Sequence, residues 1–338
     1  MSGPVIGVDI GGTKILAIRL GPGLPLQGPL GPGLPLQGPV GPGLPLRWVV
    51  EDEVKVSTPS HGPGLMDAVG DAVERLLPAG AGPAAIGIGA PGLVDDGGVL
   101  RFSPHLPGVV GTSLTGALVT RYPTASFWAG NDATAAVWAE HRLGSAIGVD
   151  DVVLVTLGTG IGGGIIVGGQ LFDGANRFAG EFGHVVVDPH GPLCPCGRRG
   201  CWERFASGSG LGLLGREAAM AGQADRVAAL AGGDPEAVRG EHVSIAAAEG
   251  DEAAVSIMGR FAWWVGLGLA NLANIFDPEL LVLGGGLIDA GDVLLTPTRI
   301  AFAELVEAGQ LRHGPLIREA ILGPRAGAVG AAVLAANG

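Results

Sequence analysis

Hydrophobic positions along the chain follow two rhythms, a period near two and a period near three and a half, and their order predicts an α/β protein. Val5 to Asp9 is a short β-branched run, followed by a glycine turn and a second run from Ile15 to Leu20, which predicts strand, tight turn, strand. Arg47 to Thr58, RWVVEDEVKVST, alternates as the next strand. Leu65, Val69, Val73, Leu76 and Leu77 share one face of a helix from about Gly64 to Leu77, stopped by Pro78 and Gly80. Ile86 to Ala90 and Thr124 to Ala129 read as strands, the second leading into a helix over Ala133 to Leu143. Val152 to Thr156 opens a glycine-rich hairpin, LGTGIGGGIIVGG. From Gly210 onward the pattern is mostly helical. Ile257, Phe261, Trp264, Val265, Leu269, Leu272 and Ile275 predict one long buried helix, its tryptophan pair read as core, ending near Asp277 and Pro278. A strand over Leu280 to Leu283 and a small-residue helix over Ala326 to Ala336 complete the pattern.

The rhythm fails in one place. Gly21 to Leu46 repeats GPGLPLQGPL, GPGLPLQGPV and GPGLPL without a charged residue, between two predicted strands. Glycine does not recur every third position, so collagen is excluded, and the prolines favour extended chain without internal hydrogen bonds. Such a sequence is expected to form no packed element; an enlarged surface loop is the favoured reading, because added loop length costs little free energy, and a partner-binding role is the alternative.

With 338 residues, 47% of them hydrophobic, the chain is long enough for two domains with separate cores. No uninterrupted apolar run of membrane length stands out. The start MSGPVIGVDIGG lacks the charged residues, apolar stretch and cleavage site of an export signal, so a cytoplasmic protein with no membrane partner is expected. Twenty basic against 32 acidic side chains give a formal charge of −12, which repels nucleic-acid phosphates; no basic patch offsets it, and no nucleic-acid partner is expected.

Candidate chemistry takes three forms: a metal knot, glycine turns and a strand-to-helix junction. His184, Cys194, Cys196 and Cys201 offer one imidazole and three thiols, a closed tetrahedral set for structural Zn2+, with Gly191, Pro192, Pro195, Gly197 and Gly200 supplying the turns. A disulfide would leave one cysteine unpaired, and residues two apart are poorly placed for one; buried free cysteines are the other alternative. Glycine turns that let backbone amides approach an anion occur at Gly11 and Gly12, beside Thr13 and Lys14, and at Gly158 and Gly160, beside Thr159. A third glycine turn, Gly284, Gly285 and Gly286, follows the late strand. Finally, Asn131 and Asp132 stand at a strand-to-helix junction, where capping alone would account for them, at about 1 kcal/mol.

The segments AGE (179–181), GH (183–184) and CxCGxxGCxE (194–203), at these intervals, resemble the zinc and sugar signature of the ROK family of sugar kinases and repressors. DxGGTK (9–14) resembles the first phosphate loop of actin-like kinases, and GNDATAA (130–136) the family's catalytic segment. The resemblance covers nearly the whole chain apart from the repeats. It implies an actin-like, ribonuclease H-like pair of α/β domains with a cleft, divided here as 1–129 plus 326–338 and 130–325. It implies ATP as phosphoryl donor, held by the loops at Gly11 to Lys14, Gly158 to Gly160 and Gly284 to Gly286, with Asp9 serving Mg2+ through water. Asp132 takes the proton from a hexose 6-hydroxyl. Gly92, Asn131, Glu181, His184 and Glu203 meet the sugar, His184 with the nitrogen not on zinc. Three positions depart from the pattern: His105 stands where relatives usually carry asparagine, Thr134 replaces a second asparagine, and Arg177 occupies a position that is commonly glycine.

The function this implies is a glucokinase, phosphorylating glucose at its 6-hydroxyl. Fructose, mannose, N-acetylglucosamine and N-acetylmannosamine kinases are the alternatives within the family. A sugar-responsive regulator is less favoured, since such proteins carry an N-terminal helix-turn-helix and the first strand here begins within a few residues of Met1. A homodimer or homotetramer is expected by analogy.

Overall fold

A computed structural model describes residues 3–22, 35–37, 47–311 and 314–337. The strands are β1 (Val5–Ile10), β2 (Lys14–Pro22), β3 (Pro35–Gln37), β4 (Arg47–Ser57), β5 (Ala85–Ala90), β6 (Leu93–Val94), β7 (Leu100–Phe102), β8 (Ser126–Asn131), β9 (Val152–Leu157), β10 (Ile161–Val167), β11 (Gln170–Leu171), β12 (Leu280–Gly284) and β13 (Leu316–Glu319). The α-helices are α1 (Gly62–Leu76), α2 (Gly116–Arg121), α3 (Asp132–Leu143), α4 (Glu203–Ala206), α5 (Gly208–Met220), α6 (Asp225–Leu230), α7 (Gly240–Ala248), α8 (Glu252–Phe276), α9 (Asp292–Leu305) and α10 (Ala326–Asn337). Every strand and helix expected from the hydrophobic rhythm is present, with ends shifted by a few residues.

The chain divides into two compact units. One comprises Met1–Leu154, Gly164–Gly180 and Ala320–Gly338, the other Val155–Gly163 and Glu181–Glu319. Residues 130–154, grouped with the second domain on sequence, fall in the first unit because α3 packs on α10 and β8 pairs with β5.

In the first unit a six-stranded sheet has the order β3-β4-β2-β1-β5-β8. β2 is antiparallel to β1 and β4, while β5 runs parallel to β1 and β8. Alternation on β1 separates two faces. Ile6, Val8 and Ile10 join the apolar cluster that α1 completes with Leu65, Val69, Val73 and Leu76. The opposite face carries Gly7, and α10 lies on it so closely that a Cβ on Gly7 would fall 1.9 Å from the Ala328 carbonyl oxygen. A Cβ on Gly87 would fall 1.8 Å from that of Ala331, and one on Gly330 1.7 Å from that of Ala135 in α3. Small residues on α10 and on the sheet therefore allow backbone-to-backbone packing, which draws α3 onto the sheet as well.

The repeats depart from expectation at one point. Pro35–Gln37 forms β3 and pairs antiparallel with β4 over Pro35↔Val49 to Gln37↔Arg47. β4 offers an open edge there, and proline is tolerated on an edge strand. The other repeat residues, 23–34 and 38–46, lie outside the described residues.

The second sheet has the order β11-β10-β9-β12-β13, with β12 and β13 parallel. In the second unit α8 is long and apolar enough to cross a membrane by length and composition, which the hydropathy reading did not anticipate. Its buried face, including Ile257, Phe261, Val265 and Leu269, packs with α5, α7 and α9. Gly268 makes room for the fully buried indole of Trp202, to which a Cβ there would approach within 1.9 Å. The Trp202 Nε1 donates to the Trp264 carbonyl at 2.7 Å. Trp263 is exposed and Trp264 half-buried, so the tryptophan pair rims this core and does not fill it.

Candidate active site

In the first unit the tight packing creates a half-buried acid pair, Asp9 and Asp132. The strand registers set Asp9 opposite Gly89 and Gly89 opposite Gly130. A Cβ on Gly89 would stand 3.3 Å from the Asp132 Cα, so glycine there leaves the two carboxyls within electrostatic reach. Burial pushes Asp9 up to about 7; Asp132 adds to the shift and Lys14 works against it. Burial also raises Asp132, opposed by the Ala133 N–H, which donates to Oδ1 at 2.8 Å, and by His105. Even with Lys14 and His105 near, the pair lacks the positive charge to ionise fully. A divalent cation supplies that charge, and carboxylate oxygens suit Mg2+. The neighbouring loop fits phosphate: Gly11 N–H donates to the Lys14 carbonyl at 2.9 Å, the Thr58 hydroxyl donates to the Gly11 carbonyl at 2.7 Å, and Gly12, Thr13 and Lys14 are exposed.

The same unit joins Gly92, Asn131 and Asp132. Asn131 caps α3, its Oδ1 accepting from the Thr134 N–H at 3.0 Å, while its Nδ2 donates to the Gly92 carbonyl at 3.2 Å. The cap uses the backbone of residue 134, so threonine in place of asparagine leaves this tether intact. Gly92 has φ 111°, and a Cβ on it would lie 2.1 Å from the Phe102 carbonyl oxygen, so that position requires glycine. Two residues were underread on sequence. His105, set aside for not being asparagine, acts on Asp132; its histidine among prolines gave no signal beyond its type. Arg177 reaches Gly130, as shown below.

In the second unit the other two glycine turns meet. Gly208 N–H donates to the Gly158 carbonyl at 2.8 Å, and the Ser209 hydroxyl donates to the Thr159 carbonyl at 2.9 Å. Gly158 N–H donates to the Gly160 carbonyl at 3.0 Å, closing the hairpin turn. Gly285, at φ 86°, passes so close that a Cβ would lie 2.3 Å from the Leu157 carbonyl oxygen. Gly284 ends β12 in the core, and around Gly286 a Cβ would meet open space. The Gly158–Gly160 turn and the Gly285 turn thus form one exposed backbone surface suited to a nucleotide.

The cysteine knot is also in this unit. The ligand atoms of His184, Cys194, Cys196 and Cys201 all lie within 4.8 Å of one another. Cys196 and Cys201 Sγ are 3.5 Å apart, and Cys194 Sγ is 3.7 Å from His184 Nδ1. A disulfide needs about 2.05 Å, whereas edges of roughly 3.5–3.8 Å are those of a tetrahedron with Zn–S near 2.3 Å. Burial and the neighbouring sulfurs push the Cys201 thiol up to about 12 and burial raises Cys194, whereas at Cys196 burial is outweighed by the Arg198 N–H and the neighbouring sulfurs, which lower it. The donor set fits Zn2+. Gly197 and Gly200 have φ 91° and 70°, and a Cβ on Gly200 would lie 1.5 Å from the Asp188 carbonyl oxygen.

With Nδ1 turned to the sulfurs, His184 presents Nε2 toward Glu181 Oε2 at 3.8 Å. Glu203 Oε2 accepts from the Ile161 N–H at 3.0 Å, and Oε1 lies 3.9 Å from Cys194 Sγ. The knot therefore fixes two carboxylates and an imidazole on a rigid loop.

A family model described as the ROK family matches residues 47–337. Glucokinase of Streptomyces coelicolor is 37% identical over 349 residues, covering 98% of each chain. N-acetylmannosamine kinase of Shigella flexneri is 31% identical over 341 residues, again covering 98% of each. Among solved structures, a ROK family glucokinase from Streptomyces griseus in complex with glucose and AMPPNP superposes with a TM-score of 0.81 at 38% identity, covering 99% of this chain and 100% of that one. The fold is that of the actin-like ATPases, and the enzyme class is ATP-dependent sugar kinase. The chain belongs to the ROK family.

Proposed function

We propose that the protein transfers the terminal phosphoryl group of ATP to the 6-hydroxyl of glucose, with Asp132 as the general base. The observation that carries this reading is the half-buried Asp132 at the head of α3, its carboxyl raised chiefly by desolvation. A carboxylate raised by burial is a stronger base than an exposed one and moves toward the pH at which a hydroxyl proton must be accepted. Asn131 and Gly92, tied to each other beside it, bind neighbouring sugar hydroxyls. Glu181, His184 and Glu203 accept hydrogen bonds from further hydroxyls, and their attachment to the zinc knot limits the ordering cost of binding. Gly11 to Lys14, Gly158 to Gly160 and Gly284 to Gly286 would hold the nucleotide, and Asp9 would hold Mg2+ through water. The bound Mg2+ would neutralise charge on the transferring phosphoryl group.

Glucose is favoured by the glucokinase relatives at 37% identity over nearly the full chain. The N-acetylmannosamine kinase relatives support a second reading, an N-acylated hexose as substrate. The cytoplasm and a homo-oligomeric state are part of the proposal. Phosphorus NMR of the product tests the reaction: phosphate on the 6-position of glucose supports it, and phosphate on any other position rejects the assigned hydroxyl.

A further inference from the structure

Arg177 has φ 61°, in the left-handed region that disfavours side chains, a conformation the surrounding loop holds in place. That loop is tight: the Arg177 N–H donates to the Gly174 carbonyl at 3.2 Å, and the Ala179 N–H to the Asp173 carbonyl at 2.9 Å. The guanidinium Nε donates to Asp173 Oδ2 at 3.0 Å and lies 3.9 Å from Asp96 Oδ1. Its Cζ is 5.7 Å from the centre of the Trp128 ring, within cation–π range. Its other end reaches β8, where a Cβ on Gly130 would stand 3.3 Å from the Arg177 Nη2. One side chain thus links the 173–179 loop, the turn after Gly92 and the end of β8. Gly130 is followed directly by Asn131 and Asp132.

We propose that Arg177 is a positioning residue for sugar binding, fixing the β8 end so that Asn131 keeps its place against Gly92. This rests on the kinase reading above. The arginine acts through Trp128 and Gly130, and an extended planar cation suits it: Nε serves Asp173 while Cζ stays within cation–π range of the indole. A lysine supplies one charged point and cannot do both.

The experiment compares wild type, Arg177→Gly, Arg177→Lys and Asp173→Asn as full-length proteins, reading kcat, the KM for glucose, the KM for ATP, and Tm. Arg177→Gly suits the left-handed backbone, so it is expected to keep Tm while raising the KM for glucose about 10-fold, with kcat and the KM for ATP within about two-fold. Arg177→Lys recovers part of that loss, and Asp173→Asn shifts the same constant by a smaller factor. An unchanged KM for glucose in both Arg177→Gly and Asp173→Asn overturns the proposal. So does a fall in kcat and a rise in both KM values together with a lower Tm, the mark of a merely structural role. If wild type turns over no hexose, the kinase reading fails and this proposal with it. If wild type turns over glucose and the variants match it, the positioning role alone fails.

Discussion

Asp132 raises the pKa of Asp9: the two carboxyls share one buried site, and each is held above the ordinary carboxylate range chiefly by burial. The sequence places them far apart. Gly89, on the strand between theirs, is what lets them interact.

This pair sets a pH dependence. Both groups hold protons more tightly when folded; the contribution of Asp9 to stability is present below the ordinary value of 3.8 and is lost as the pH rises through about 7, and that of Asp132 is lost in the same direction. Asp9→Asn cannot ionise. Without nucleotide or metal it is expected to melt above wild type at about pH 8, and the difference should close as the pH falls toward about 4. Melting curves across that range check it, and a constant difference at all pH values contradicts the assignment. Mg2+ with nucleotide should raise the Tm of wild type at about pH 8 more than that of the variant.

Asp132→Asn keeps the shape of the head of α3 and removes the base. A fall in kcat of at least about 100-fold is expected, with glucose affinity by calorimetry within a few-fold of wild type. Near-normal kcat in this variant rejects Asp132 as base.

Cys196→Ser removes one of four zinc donors. Zinc content measured by mass spectrometry should fall well below one per chain, Tm should drop by more than about 5 °C, and glucose binding should weaken. Full zinc occupancy in the variant would place the metal elsewhere.

Gly87→Ala introduces a methyl group where the Ala331 carbonyl oxygen already stands. Backbone meets backbone here, so no side chain can yield. Urea unfolding is expected to show a loss of about 3 kcal/mol, and a loss below about 0.5 kcal/mol would show that α10 can move off the sheet.

Replacing residues 23–46 by a short Gly/Ser turn joins β2 and β4 where Pro22 already pairs with Trp48. Turnover and Tm should both stay close to wild type, since β3 lies at the edge of the sheet. Unfolding of the shortened chain would show that the repeats hold the sheet together.

Much of this was legible in the sequence for physical reasons. Strand and helix rhythms followed from burial on one or two faces, and the cysteine knot from ligand type and spacing. What stayed hidden depended on contacts remote in sequence. The Asp9 and Asp132 shifts arise from packing through Gly89; nothing local to either residue encodes them. The requirement for glycine at 7, 87 and 330 comes from a C-terminal helix meeting an N-terminal sheet, and composition alone showed only that the helix is small-sided. Arg177 read as a minor departure because its φ and its reach to Gly130 are properties of the folded loop. Pro35–Gln37 read as loop because proline-rich sequence has no propensity for a strand, yet the open edge of β4 recruits it. The helical spacing of Ile257, Phe261, Val265, Leu269 and Leu272 marked the long α8 as core, while Arg260 and three glycines interrupt the apolar run that passes the length and hydropathy limits for a membrane helix.

The most direct test is turnover by the purified protein against a panel of hexoses and N-acylated hexoses, read as sugar phosphate formed with ATP or polyphosphate as donor and, with ATP, as coupled ADP release. The account predicts ATP- and Mg2+-dependent turnover with glucose at the highest kcat/KM, abolished in Asp132→Asn. ADP release with no hexose on the panel would contradict it.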